Sequence, residues 1–147
     1  MNLSDQPVVA RLESVASQDL QTVWPTVLTG LRKIERRNGS HWIAEDIYAA
    51  LRGGHSTLRL AKVNDYYAGF VVLTPFQGFD GMQLQVWCAY AVGGYDPLEL
   101  FSNEIDVIAH QIGAKRVTFL STRAWARDGR IFKYGYRINQ TEFVKEL

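Results

Sequence analysis

Residues 96–147 read as helix, strand, helix, strand, directly after a run of consecutive strands, and few architectures accept that order. Asp96-Pro97 opens the first of these helices, an acidic cap followed by proline at the first helical position, where a missing N–H does no harm. Leu98, Phe101, Ile105, Ile108, Ala109 and Ile112 then recur at helical spacing, and Gly113 stops the run. Residues 116–120 (RVTFL) read as a short buried strand. Residues 124–134 have helical character that Gly129 weakens and Gly135 ends, and 141–147 read as a last strand.

Upstream, residues 7–15 alternate as a first strand. Ser17 is placed to cap a helix whose buried stripe is Leu20, Val23, Trp24, Val27, Leu28, Leu31 and Ile34. Pro25 lies inside that stripe and predicts a kink or a later helix start. Arg32, Lys33, Arg36 and Arg37 crowd its end, where cations suit the helix dipole. After Asn38-Gly39 a shorter helix runs over 43–52 and stops at Gly53-Gly54. Strands follow over 56–63 and 67–74, turned by Asn64-Asp65; the second is nearly all apolar and hence central. The Gly and Pro content of 75–81 (PFQGFDG) reads as a loop, and 82–92 as the longest strand, with Leu84 and Val86 alternating against Gln83 and Gln85.

The whole order is β, α, α, β, β, β, α, β, α, β. It predicts one α+β domain over 1–147, a mixed, mostly antiparallel central sheet flanked by about four helices. The expected core is Trp24, Leu28, Leu31, Phe70, Val72, Leu84, Val86, Phe101, Ile105, Ile108, Val117 and Phe119.

At 147 residues, 47% hydrophobic and 21% charged, the chain reads as one globular unit. A formal charge of +1 gives no global pull towards nucleic acid or membrane. No apolar run reaches the roughly 18–20 residues of a membrane span, and the first residues lack the basic and apolar regions of a secretory signal. The single cysteine, Cys88, excludes an intrachain disulfide and reads as a small buried hydrophobe in its apolar strand; a cytoplasmic location is expected. His41, His55 and His110 are scattered without cysteine partners, so no metal is expected.

Two stretches, Gly113-Ala114-Lys115-Arg116-Val117-Thr118-Phe119-Leu120 and Lys133-Tyr134-Gly135-Tyr136, together with the element order, resemble the GCN5-related N-acetyltransferases (GNAT) across nearly the whole chain. The resemblance implies that fold, with acetyl-CoA held through its diphosphate by backbone amides of an R/Q-x-x-G-x-G/A segment opening the third helix. The matching positions are Gly93-Gly94-Tyr95-Asp96-Pro97-Leu98. Here glycine stands for the cation, Asp96 for the first required glycine, and Pro97 has no N–H to offer. Val92, Gly93, Gly94 and Tyr95 remain as the cofactor-binding candidates of a degenerate loop. The tyrosine acid implied four residues before the terminal glycine is Ile131, and the implied upstream asparagine is Ala124.

A narrower resemblance runs through Trp24-Pro25-Thr26-Val27-Leu28, Trp42, Asp46-Ile47-Tyr48-Ala49-Ala50-Leu51-Arg52, Gly69-Phe70-Val71-Val72-Leu73 and Val86-Trp87-Cys88-Ala89. These are similar to small GNAT-like proteins encoded in the virion gene clusters of tailed bacteriophages. That similarity implies a virion-associated role and location.

Glu45, Asp46 and Tyr134 are weak catalytic candidates; for the carboxylates, as for Glu13 and Glu104, the plainer reading is solvated charge. Arg123, Arg127 and Arg130 recur at four-and-three spacing, extended by Lys133 and Arg137. The plainer reading is a solvated helical face, the sharper one a site for phosphate or for an acidic protein patch. No aromatic ladder accompanies them, so nucleic acid is not an expected partner. Phe76 and Phe79 stand in the 75–81 loop as interface anchors, unless they fold back onto the domain.

The expectation is a non-catalytic or weakly catalytic phage protein. It would act by contact with structural or ejection proteins through the loop and the basic helix, with self-association open and no cofactor. The first alternative is an acetyl-CoA-dependent N-acyltransferase with an altered loop and Glu45, Asp46 or water as base. The second is a small-ligand sensor using the remnant cleft.

Overall fold

The computed structural model describes residues 10–38, 41–120 and 129–147. In chain order these are β1 (Arg11–Ser14), α1 (Leu20–Asn38), α2 (Ala44–Arg52), β2 (Thr57–Val63), β3 (Tyr66–Gly78), β4 (Gly81–Ala91), α3 (Pro97–Gln111) and β5 (Arg116–Phe119). The strands form one sheet in the order β1-β2-β3-β4-β5. All neighbours are antiparallel except β4 and β5, which run parallel because α3 carries the chain back to the end where β4 began. This is the mixed, mostly antiparallel α+β sheet expected.

Local chemistry explains most boundaries. Ser17 does not cap α1; Ser17–Asp19 form a 3-10 turn entered from Ala16 without a side-chain cap. Pro25 neither breaks nor delays α1, which runs on to Asn38. Both Gln21 and Pro25 are exposed, so the carbonyl that proline leaves unpaired is open to water. Asn64 and Asp65 both adopt left-handed backbone, φ 51° and 66°, as a two-residue hairpin turn with strand-matching twist requires.

Three expectations are corrected. The 75–81 loop is mostly strand: β3 runs to Gly78 and β4 starts at Gly81, leaving only Phe79-Asp80 outside the ladder. Pro75 is tolerated because the ladder between β3 and β2 ends at Leu73, so beyond it one side of β3 is an edge. The fourth helix does not form over 129–134, since Gly129 has φ 77° and only a 3-10 turn, Arg130–Tyr134, follows. Residues 124–128 of that expectation, like 7–9 of the first strand, lie outside the described residues. The described chain thus has three α-helices rather than about four. Residues 141–147 form no strand, and Phe143 and Leu147 are exposed. A strand exists through its ladder partner, and none is paired to this segment among the described residues.

The two sheet faces bury different cores. One packs Leu12, Ala61, Val71, Leu73, Leu84 and Val86 against Leu100, Phe101, Ile105 and Ile108 of α3. The other packs Leu58, Phe70, Val72 and Cys88 against Leu20, Val27 and Leu31 of α1 and Ile47 and Leu51 of α2. Each of the buried Val, Leu, Ile and Phe side chains contributes about 1.5–3 kcal/mol. Of the expected core, Trp24, Leu28, Val117 and Phe119 are half-buried and the rest are buried, while Ile112 of the α3 stripe is exposed.

Candidate functional site

The second half of β4 departs from regular sheet geometry in two ways. Val72 pairs with Cys88 but Leu73 pairs with Val86, so Trp87 is an extra, bulged residue. Unbroken alternation would put Leu84, Val86, Cys88 and Tyr90 on one face. The bulge instead keeps Leu84 and Val86 on the α3 face and turns Cys88 and Tyr90 to the α1 face. On the outer side of β4, β5 pairs only with Gln83 to Val86. From Trp87 to Ala91 that edge has no strand partner among the described residues, so the sheet opens there.

The chain leaving this opening makes a tight turn. Gly93 and Gly94 have φ 68° and 78°, and the Tyr95 N–H donates to the Val92 carbonyl at 3.4 Å. The Val92 N–H itself donates to the Ala68 carbonyl at 2.9 Å, fixing the turn to β3. Then α3 begins. Its Asp96 carboxylate accepts the Leu98 N–H at 3.0 Å, and Pro97 has none to give. Glu99 adds a second acid to the first turn. A helix start attracts phosphate through free amides and positive potential; here one amide is absent, one is used, and two carboxylates oppose the charge. The diphosphate of acetyl-CoA does not fit this helix end.

Two groups from the 3-10 turn face the same end. Arg130 lies 3.8 Å from the Asp96 carboxylate. Tyr134 is held above the ordinary tyrosine range, first by burial and then by the charges of Asp96 and Glu99, with Arg130 opposing. Its hydroxyl therefore keeps its proton at neutral pH. Ile131, at the position implied for the acid, is half-buried hydrocarbon.

The other candidates are occupied or distant. The Glu45 carboxylate accepts from Arg32 at 2.5 Å, and that hydrogen bond holds it below the usual carboxylate range. Arg32 also donates to Glu35 at 3.1 Å, so Glu45 belongs to an exposed ion cluster joining α1 to α2. The Asp46 carboxylate accepts the Ile43 N–H at 2.9 Å and caps α2. Cys88 is buried and its thiol is pushed far up by burial, which makes it inert. Phe79 is fully exposed at the β3–β4 hairpin tip and Phe76 is exposed just before it. Asp80 at that tip accepts from both terminal nitrogens of Arg116 and is held below the ordinary range by it. Phe79 and Arg130 thus sit at opposite ends of β4, about 30 Å apart along an extended strand. Arg123 and Arg127 lie outside the described residues. Among the described residues no three His, Cys, Asp or Glu side chains gather as metal ligands, and no helix is long and apolar enough to cross a membrane.

Sequence reasoning missed a groove of about 420 Å³ between α1 and the ends of β3 and β4, lined by Pro25, Thr26, Thr29, Gly30, Lys33, Tyr67, Tyr90 and Val92. The available signals were Tyr67 opening an apolar strand and Tyr90 interrupting another. The bulge that aims Tyr90 into the groove has no signature in the sequence.

No family model matches the chain, and no curated protein sequence matches it. Solved structures do. A probable acetyltransferase superposes with a TM-score of 0.68 at 16% identity, covering 93% of this chain and 97% of that one. An aminoglycoside acetyltransferase from an uncultured soil metagenomic sample, in complex with sisomicin, gives 0.68 at 13% identity over 94% and 96%. A ribosomal-protein-alanine N-acetyltransferase from Brucella melitensis biovar Abortus 2308 gives 0.63 at 14% identity over 94% and 99%. Identities this low carry the architecture and not the substrate. The chain has a GNAT-like fold, and among the described residues its sheet is open at the second half of β4.

Proposed function

We propose that this chain is an N-acyltransferase of low donor affinity that moves an acyl group from an acyl-CoA thioester to a primary amine. The observation that carries the reading is the β4 edge from Trp87 to Ala91, bulged and unpaired among the described residues, which leads into the α3 start whose Asp96 and Glu99 act on Tyr134. The neighbours support the acceptor class, since one is named for aminoglycosides, which carry primary amines, and another for N-acetylation of a ribosomal protein's alanine.

The thioester supplies an activated acyl carbonyl. Backbone amides on the open β4 edge are the donors able to face that carbonyl oxygen, where preorganised N–H groups stabilise developing charge. Tyr134 holds a proton for the departing sulfur. Glu45 and Asp46 are committed to Arg32 and to the α2 cap, which leaves water to take the amine proton. The poor diphosphate fit at Asp96 and Pro97 gives the low affinity.

A second reading, a virion protein of a tailed phage acting by protein contact, is favoured by that same poor fit and by Phe79 at the hairpin tip. Mass spectrometry of a primary-amine panel incubated with acetyl-CoA separates the two. The first reading expects slow transfer, falling about a hundredfold in Tyr134→Phe with little change in acceptor KM. No transfer above background, with the protein recovered in purified phage particles, would favour the second.

A further inference from the structure

The groove between α1 and the ends of β3 and β4 lies on the opposite face of the sheet from α3, and its chemistry is the reverse of the α3 start. Among the described residues no carboxylate lines it: Lys33 supplies a cation and Thr26, Tyr67 and Tyr90 supply hydroxyls, while the Thr29 hydroxyl already donates to the Pro25 carbonyl at 3.2 Å. Lys33 Nζ sits 5.8 Å from the Tyr90 ring centre and makes no ion pair among the described residues. The Tyr67 hydroxyl is buried and has no hydrogen-bond partner among the described residues. An orphaned buried hydroxyl is costly in an apo protein, which favours any shift of the groove lining that lets an acceptor reach it. Burial, then the neighbouring Tyr90, pushes Tyr67 up to about 12, so it meets that acceptor as a neutral donor. Gly30 brings α1 close, since a Cβ there would lie 2.6 Å from the Tyr90 ring, and Val92, the residue that begins the glycine turn, also lines the groove.

We infer that this groove binds a phosphoryl-bearing small molecule, with Lys33 as its counter-charge and Tyr67 and Tyr90 as hydroxyl donors. One lysine with several hydroxyls matches a tetrahedral anion with many acceptor lone pairs. The volume suits a nucleotide-sized ligand. The phosphate is either that of a free nucleotide or that of the acyl donor, displaced here from the acid-capped start of α3; only the second assignment rests on the acyltransferase reading.

Calorimetry of wild type, Lys33→Met and Tyr67→Phe with inorganic phosphate, AMP and acetyl-CoA tests the site, with Phe79→Ser at the distant hairpin tip as control. The expected result is binding of AMP by wild type and the control, weakened at least about tenfold in both groove variants. Equal loss for acetyl-CoA assigns the phosphate to the donor; loss for AMP and phosphate alone assigns it to a free nucleotide. No binding of any probe by wild type, or unchanged binding in the variants, overturns the inference. Thermal melting adds a second arm, because without ligand Tyr67→Phe should melt at or above wild type. A clear drop would mean that the hydroxyl is already bonded within the protein, and the inference falls. The amine-panel assay is separate: transfer with unaffected binding in the variants sinks the groove and leaves the acyltransferase, and the converse leaves the groove alone.

Discussion

In its first half β4 is held on both sides, by β3 and by β5 through Val86, and its end is clasped by the Asp80–Arg116 ion pair. Past Trp87 it keeps β3 alone among the described residues, carries a bulge, and runs into two left-handed glycines and an acid-capped helix. The paired half builds core, with Leu84 and Val86 under α3. Toward the open end lie unpaired backbone groups and, on opposite faces of the sheet, the α3 start that Tyr134 faces and the hydroxyl-lined groove. The contrast teaches that the fold provides a cleft without dictating what grips the ligand in it.

Substitutions that remove this contrast should cost most. At Gly69 an added Cβ would lie 2.0 Å from the Tyr90 carbonyl, where β3 presses on the open half of β4. Gly69→Ala should destabilise by about 4 kcal/mol or more, and denaturant unfolding would show it; a loss below about 1 kcal/mol would mean that the two strands are not this close. Ile105→Ala, on the face that seals the paired half, should cost about 2–5 kcal/mol, and Phe79→Ser at the exposed tip almost nothing by the same measurement. Asp96→Ala removes the α3 cap and should cost about 1 kcal/mol, whereas Asp96→Asn keeps the cap and should melt near wild type.

A small effect confined to acid pH belongs to the hairpin clasp. The folded Asp80 carboxyl lies below its unfolded value because of Arg116. Its stabilisation is therefore present above the unfolded pKa and is lost as pH falls through the folded one, below about pH 4. Melting curves from neutral to acidic pH should show a slightly shallower acid decline in Arg116→Gln; identical curves would mean that solvent screens the pair completely.

Much of the fold was legible because periodicity reports burial. The α3 stripe, the Asp96 cap, the Asn64-Asp65 turn and the apolar β3 all follow from residue chemistry at short range. The 75–81 hairpin was not, since Pro75 reads as a loop unless one knows that β2 no longer pairs with β3 there. Gly129 was seen as a weak point, yet only its left-handed backbone shows that no helix crosses it. The site was half legible. Asp96 and Pro97 at the α3 start stand in the sequence, and the structure places both there, with the Asp96 carboxylate accepting the Leu98 N–H. The Trp87 bulge, which decides the face that Tyr90 reaches, depends on pairing between strands and leaves no local pattern. The same holds for Tyr67, whose lack of a partner is a property of the packed structure.

The central claim is that the open half of β4 is a donor cleft weakened at its helix end by Asp96. Titration calorimetry of wild type and Asp96→Asn with acetyl-CoA tests it most directly. The account expects weak binding by wild type and about tenfold tighter binding by Asp96→Asn, the effect of removing one carboxylate charge beside the diphosphate. Low-micromolar binding by wild type, unchanged in Asp96→Asn, would contradict it.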